Sequence, residues 1–256
     1  AAASLTALTQ NFYLGILFAI PISFFAGYAL EYLVIRHFYK RDHMEQVLAT
    51  FGLILFFNEA IRVGFGPAAL HSNLPASLSG FVYILPEIPY PEFRLLVILV
   101  GFACAIGIHL LVSRTRLGAT VRAGASNAAM TAALGVNITR LRRLVFAIGA
   151  CFAGVAGMML GPLTSVEPGM GEPLLILSLV VIIIGGIGSV RGAFIAAIIV
   201  GMVDTMGRVM LPVILRSFME QASADGAGPA LASMMVYILM AVVLVFKPTG
   251  LFPPNR

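Results

Sequence analysis

Charged residues are scarce in this chain of 256 residues. Asp, Glu, Lys and Arg together make up 11% of the sequence, whereas hydrophobic residues make up 60%. A soluble domain carries about 25% charged residues, so the composition excludes an ordinary soluble globular domain. We therefore interpret the chain as an all-α polytopic membrane protein.

Cysteine is also scarce, and the motifs of common enzymes are missing. Cys104 and Cys151 both lie in apolar runs, where a small buried core residue is the ordinary interpretation. The sequence contains no HExxH or comparable cluster that would indicate an intramembrane enzyme. It also contains no loop with the Gly-Lys-Ser/Thr motif that binds ATP. We expect no catalytic residue, no metal site and no cofactor bound by this chain.

Apolar runs long enough to cross a membrane are abundant. A transmembrane helix needs about 20 such residues, and the sequence has seven candidate segments, one of them short. They are residues 12–35, 47–65, 95–112, 144–163, 174–187, 193–211 and 231–246. FVYIL (81–85), in the loop before the third segment, fits either a short strand or a piece that lies on the membrane surface.

Basic residues are distributed unevenly over the connecting loops. Twelve of the 16 Lys and Arg residues fall at 36–41, in 114–143, and at positions 191, 247 and 256. Basic residues favour cytoplasmic loops, so this asymmetry predicts a cytoplasmic C-terminus and explains the net charge of +5 without nucleic acid. We expect one transmembrane domain over 1–256, with a cytoplasmic loop at 114–143 and outer loops at 66–93 and 212–229.

The cytoplasmic loop 114–143 is the longest polar stretch near the membrane. It is rich in alanine and in helix-forming residues, and a loop of this kind usually contacts another protein.

The turn before the fifth segment has two interpretations. SVEPGMGEPLL (165–175) places prolines and glycines between apolar runs, and only about fourteen apolar residues follow, or about 21 Å of helix. One interpretation is a plain outer loop. In the other, which we favour, the turn enters the protein and lines a watery pathway, since non-helical backbone at membrane depth must be buried in protein or line a watery cavity. The candidate pathway residues are Thr164, Ser165, Glu167, Pro168, Gly169, Gly171 and Glu172.

GGIGSVRG (185–192) resembles a nucleotide-binding loop only superficially, because no soluble βαβ unit surrounds it. Glycines permit a tight turn and close approach of helices. We predict a structural inner turn formed by Gly185, Gly186, Gly188 and Ser189.

Ionisable residues also occur inside the predicted spans, where they are costly. Glu59 and Arg62 are three residues apart, and Asp204 and Arg208 are four apart, so each pair can neutralise itself on one helix face. A stripe of small residues from Gly149 to Gly161, one at every fourth position, predicts helix packing.

Several motifs occur in an order typical of one family. RLGATVRAGASNAAMTAALGVNITRLRR (116–143), AGVAG (153–157), EPGMG (167–171) and VVIIIGGIGSVRG (180–192) together resemble the LivH-type permease subunits of branched-chain amino acid ABC importers. KPTGLF and ATFGLIL resemble the family more weakly. The family's N-terminal spans have no counterpart in this sequence, so the resemblance implies that they are missing here.

The resemblance implies an inner-membrane permease of bacteria that forms half of a translocation pathway. The solute would be a branched-chain or hydrophobic amino acid or a related small polar solute. The partners would be a second related permease, two ATPase subunits that bind ATP and magnesium, and a periplasmic solute-binding protein. The residues that would couple the chain to the ATPases are Arg122, Ala123, Asn127, Ala128, Leu134, Gly135, Val136 and Asn137.

A stand-alone secondary transporter or channel is the alternative function. It would require a coupling-ion site, such as unpaired carboxylates near the middle of two repeated halves. We find no clear inverted repeat, and Glu59 and Asp204 each have an arginine within one helical turn.

Overall fold

The fold is described from a computed structural model of the chain, which describes residues 12–39, 41–66, 78, 80–85, 88–164, 166–217 and 221–252. Lys40, Ser165 and half of the proline-containing loop 66–93 lie outside the described residues. The chain divides into two compact units, Ala1–Met170 and Gly171–Arg256. The single transmembrane domain expected from the sequence stays a prediction.

The first unit contains six α-helices and one β-hairpin among its described residues. Its elements are α1 (Phe12–Leu33), a 3-10 helix (Ile35–His37), α2 (His43–Phe65), β1 (Phe81–Leu85), β2 (Ile88–Pro91), α3 (Glu92–Arg114), α4 (Arg116–Ser126), α5 (Ala128–Ala133) and α6 (Ile138–Leu160). The strands are antiparallel, with Phe81 opposite Pro91. This hairpin confirms the strand alternative for FVYIL.

The second unit contains three α-helices in its described part. These are α7 (Gly171–Gly185), α8 (Val190–Leu215) and α9 (Gln221–Phe246). The sequence placed an outer loop at 212–229, and both helices extend into that range, since α8 ends at Leu215 and α9 begins at Gln221. Gly228 of α9 packs against the Pro212 ring of α8, so the two helices lie close together at this end.

Six described helices are long and apolar enough to cross a membrane. They contain the candidate spans Leu17–His37, Met44–Phe65, Glu92–Arg114, Ile138–Leu160, Val190–Leu215 and Gly226–Phe246. α7 is apolar but has only 15 residues, so the fifth segment is short, as the sequence predicts. Large apolar side chains such as Leu48 and Val63 are exposed, which suits a surface in contact with lipid.

α1 and α6 pack against each other as an antiparallel pair. A Cβ atom on Gly27 would collide with the Cβ of Ala150, and one on Gly154 would collide with the hydroxyl of Ser23. Glycines at both positions therefore let the two helix backbones approach closely. The predicted stripe is on another face of α6, because the Cβ position of Gly149 meets no described atom within 4 Å.

Each unit has its own apolar core. In the first unit, Phe93 at the start of α3 packs with Ala19 of α1 and with Met158 and Met159 of α6. In the second unit, the buried residues come from all three helices: Val180, Ile184, Ala196, Val200 and Val236.

Candidate functional site

The segment 114–143 begins by folding back onto the end of α3. Thr115 is the N-cap of α4, because its hydroxyl oxygen accepts a hydrogen bond from the Gly118 amide at 3.1 Å. A Cβ atom on Gly118 would collide with the carbonyl oxygens of Leu111 and Val112, so α4 lies directly against the last turn of α3. The Arg122 guanidinium donates to the same Val112 carbonyl.

The short helix α5 is held by caps at both ends. The Asn127 side chain accepts from the Met130 amide at 2.9 Å. At the other end, Gly135 has a φ of 87°, and its amide donates to the Ala132 carbonyl at 3.0 Å, while the Val136 amide donates to Thr131 at 3.3 Å. These two bonds form a Schellman motif, which favours glycine at the left-handed position.

α6 then begins at a third polar cap. The Asn137 side-chain oxygen accepts from the Arg140 amide at 3.0 Å. α4 also contacts α6, because a Cβ on Gly124 would lie 3.2 Å from the Leu141 side chain. The sequence prediction of a helical loop is therefore confirmed, and Arg140, Arg142 and Arg143 belong to the first two turns of α6.

Three large apolar side chains are exposed on the segment 114–143, and Leu117 is the least exposed of them at 45%. Leu134 is 76% exposed and Met130 is 60% exposed, and they are one helical turn apart at the end of α5. Of the predicted coupling residues, Asn127, Gly135 and Asn137 shape the segment through its caps. The carbonyl of Ala123 accepts a hydrogen bond from the Asn127 amide. The same capped structure also contains Ala128 and Val136. Met130 was missed because a lone methionine in an alanine-rich helix carries no motif.

The candidate pathway turn follows α6 directly. The Met170 amide donates to the Glu167 carbonyl at 3.3 Å, and Gly169 between them has a φ of 89°. Proline followed by a glycine with positive φ is the arrangement of a type II turn. Thr164 and Glu167 are exposed, Pro168 is half-buried, and Gly171 and Glu172 open α7.

The inner glycine turn connects α7 to α8 and also holds the segment after α9. Gly186 and Gly188 have positive φ values of 99° and 91°, and Ser189 caps α8 by accepting from the Gly192 amide at 3.0 Å. The Leu251 amide donates to the Ile184 carbonyl at 2.8 Å. The turn therefore frees the last carbonyls of α7 for a backbone contact with the segment 247–252.

The two ion pairs predicted on single helices are both present. Glu59 Oε1 lies 3.6 Å from an Arg62 guanidinium nitrogen, and Asp204 Oδ2 lies 2.9 Å from Arg208 Nε. No cluster of three or more His, Cys, Asp or Glu side chains that could hold a metal occurs among the described residues.

One buried ion pair was not predicted. Arg143 Nε of α6 donates to Glu31 Oε2 of α1 at 2.7 Å, and the Arg143 guanidinium also donates to the Tyr28 hydroxyl at 3.2 Å. The Glu31 side chain is fully buried. The sequence carried no local signal for this pair, because its members are 112 positions apart.

The comparisons with known proteins agree on one family. The chain matches the family described as "Branched-chain amino acid transport system / permease component" over residues 1–244. It is 28% identical to the high-affinity branched-chain amino acid transport system permease protein BraD of Pseudomonas aeruginosa, over 88% of this chain and 69% of that protein. It is 23% identical to the corresponding LivH of Escherichia coli, over 93% of this chain and 73% of that protein.

An archaeal protein is similar to the same extent. The probable branched-chain amino acid transport permease protein LivH of Methanocaldococcus jannaschii is 26% identical, over 91% of this chain and 73% of its own length. No solved structure matches the chain. Since the family match spans nearly the whole sequence, the chain belongs to the family of permease components of branched-chain amino acid transport systems.

Proposed function

We propose that this chain forms half of the translocation pathway of an ABC importer for branched-chain or other hydrophobic amino acids, or for a related small polar solute. It pairs with a second related permease in the bacterial inner membrane, with its C-terminus in the cytoplasm. A periplasmic binding protein delivers the solute, and two separate ATPase subunits bind ATP and magnesium. The family membership and the names of the relatives support this proposal.

The observation that carries the proposal is the exposed apolar pair on α5. Thr115, Asn127 and Asn137 are used by the caps of the segment 114–143. Leu134 and Met130 are its two most exposed large apolar side chains, which makes them the best candidates for contact with a partner. Burial of an exposed leucine contributes about 1.5–3 kcal/mol. A pocket on an ATPase subunit that receives these side chains would pull directly on α6, which begins at Ile138, four residues after Leu134.

The pathway assignment rests on the length of α7. Its 15 residues span about 22 Å, which is less than the ~30 Å hydrocarbon core. A helix that begins at the inner glycine turn therefore ends below the outer surface, and the type II turn at 167–170 would lie at membrane depth. Backbone at that depth must be buried in protein or line a watery cavity, which supports a role beside the solute.

The proposal is tested by Leu134→Ala. The side chain is 76% exposed, so the variant keeps the fold, while the loss of about 2 kcal/mol of apolar contact weakens ATPase binding about 30-fold. The measurements are co-purification of the ATPase subunits in mild detergent and ATP-dependent leucine uptake in proteoliposomes. Leu134→Met is the matched control, because it retains the apolar volume and is expected to bind and transport normally.

Normal ATPase binding and uptake by Leu134→Ala would contradict the proposed contact. Uptake that follows an ion gradient without any ATPase subunit would instead support a secondary transporter or channel.

A further inference from the structure

The pair Glu31–Arg143 differs from the other ion pairs of the described chain. The Arg41–Glu45, Glu59–Arg62 and Asp204–Arg208 pairs each join residues of one helix or its flank and have at least one partner more than half exposed. Glu31 and Arg143 join two helices, and their side chains are 0% and 13% exposed.

Arg143 is surrounded on several sides. Besides the bonds to Glu31 and the Tyr28 hydroxyl, its guanidinium carbon lies 4.7 Å from the centre of the Tyr32 ring. The preceding Arg142 lies 5.0 Å from the Tyr39 ring. Burial, followed by the negative charge of Glu31, raises the pKa of the Tyr39 hydroxyl above its ordinary value. Two consecutive arginines of α6 therefore hold both the end of α1 and the loop that follows it.

Stability alone does not account for a charged pair at this place. Removing two charges from water is costly, and replacement of a buried ion pair by well-packed apolar residues is often neutral or stabilising. Glu31 Oε1 makes no hydrogen bond of normal geometry among the described residues, although the Tyr39 hydroxyl interacts with this carboxylate. What the pair does provide is a fixed register, because a slip of α1 along α6 by one turn would separate the two buried charges.

The helix ends around the pair reinforce the same register. Glu31 lies in the last turn of α1, where the dipole of its own helix disfavours a negative charge, and Arg143 lies in the second turn of α6, where the dipole effect is already weaker. Because the helices are antiparallel, each charge faces the favourable end of the other helix. Each charge is therefore better placed when α1 and α6 stay together.

The pair also lies next to the segment 114–143. Arg143 is five residues after the first residue of α6, or about 8 Å along the helix. α6 in turn follows the capped helix α5 after only the Gly135 turn and Asn137. Any displacement of α5 reaches Arg143 before it reaches the middle of the membrane.

We propose that Glu31 and Arg143 are positioning residues that make α1 and α6 move as one body when the ATPases displace the segment 114–143. This inference rests on the proposed function and adds a transmission route to it. The packed α1–α6 interface supplies the contiguous contact that rigid-body coupling requires, and the ion pair fixes its register at the inner end.

The test is the ratio of ATP hydrolysed to solute transported, measured with the assembled complex in proteoliposomes. Glu31→Gln keeps the shape of the side chain and removes its charge. We expect the ATPases to bind normally while the ratio rises about fivefold or more, the lower end of ordinary coupling between sites. Glu45→Gln, in the exposed pair with Arg41, is the matched control and should leave the ratio unchanged.

A charge exchange provides the second arm of the experiment. Glu31→Arg combined with Arg143→Glu is expected to restore the ratio toward that of the unmodified complex, whereas either single change raises it. If Glu31→Gln fails to assemble, Arg143→Lys takes its place, because lysine keeps the charge but cannot donate from a planar fork to both Glu31 and Tyr28.

An unchanged ratio in an assembled Glu31→Gln or Arg143→Lys complex would overturn the inference and leave the pair a purely structural contact. The proposed function fails separately, when Leu134→Ala has no effect on ATPase binding or uptake. A complex in which Leu134→Ala is defective and Glu31→Gln transports with the native ratio would therefore refute only the transmission role.

Discussion

Substitution of Gly27 by alanine tests the α1–α6 interface with a single added methyl group. The new Cβ would collide with the Ala150 Cβ and lie 3.3 Å from the Ala147 Cα. Relief of such overpacking costs about 1–3 kcal/mol, against a gain of about 1 kcal/mol from the higher helix propensity of alanine. We expect a net loss of up to about 2 kcal/mol in the free energy of unfolding.

Gly52 provides a matched control for this change. It lies inside α2, and its Cβ position meets no described atom within 4 Å, so Gly52→Ala gains helix propensity without a collision. We expect this variant to be as stable as the unmodified chain or more stable by up to about 1 kcal/mol.

Both variants are compared by denaturant-induced or thermal unfolding in one mild detergent. The expected result is a change of opposite sign for the two glycines. If Gly27→Ala were as stable as Gly52→Ala, the close approach of α1 and α6 would be wrong, and the Glu31–Arg143 register that depends on it would lose its basis.

Two further substitutions test the second unit and the candidate pathway. Gly250→Ala should destabilise the protein by about 2–4 kcal/mol in the same unfolding assay, because the φ of Gly250 is +86° and the new Cβ would collide with Gly186 and lie 3.0 Å from the Ile183 carbonyl. Gly201→Ala is the control, because its Cβ position on α8 is in open space. Equal stability of the two variants would contradict the backbone contact. Gly171→Leu should assemble and bind the ATPases normally, because the Cβ position of Gly171 is also open. It should slow solute uptake, because a bulky side chain there would narrow the proposed pathway. An unchanged uptake rate would favour the interpretation of the turn as a plain outer loop.

The features that the sequence predicted correctly are local ones. The apolar runs predicted the long helices. Helical spacing alone predicted the ion pairs Glu59–Arg62 and Asp204–Arg208. The short fifth segment followed from counting apolar residues before Gly185, and α7 ends at that glycine. In each case the physical cause acts within one or two helical turns, so residues close together in the sequence are enough to predict the feature.

The features that the sequence missed depend on distant residues. Glu31 was not singled out, because a glutamate at the end of an apolar run is equally compatible with exposure at the membrane surface. Only its contact with Arg143 on another helix makes it a buried charge. The contact face of α6 was likewise misplaced: Gly154 packs on α1, while Gly149 of the predicted stripe faces open space. Both faces carry small residues, and only the partner helix distinguishes them.

In the segment 114–143, the residues that form the caps differ from the large apolar residues that are most exposed. Gly135 and Asn137 match the family pattern, and both belong to caps that fold the segment internally. A motif of this kind specifies the shape of a surface rather than the groups that touch a partner. The groups that we propose for contact are Leu134 and Met130, the two most exposed large apolar side chains of the segment. Substitution of a cap and substitution of Leu134 should therefore fail differently: the first unfolds the segment and lowers assembly together with stability, whereas the second leaves stability intact and weakens ATPase binding alone.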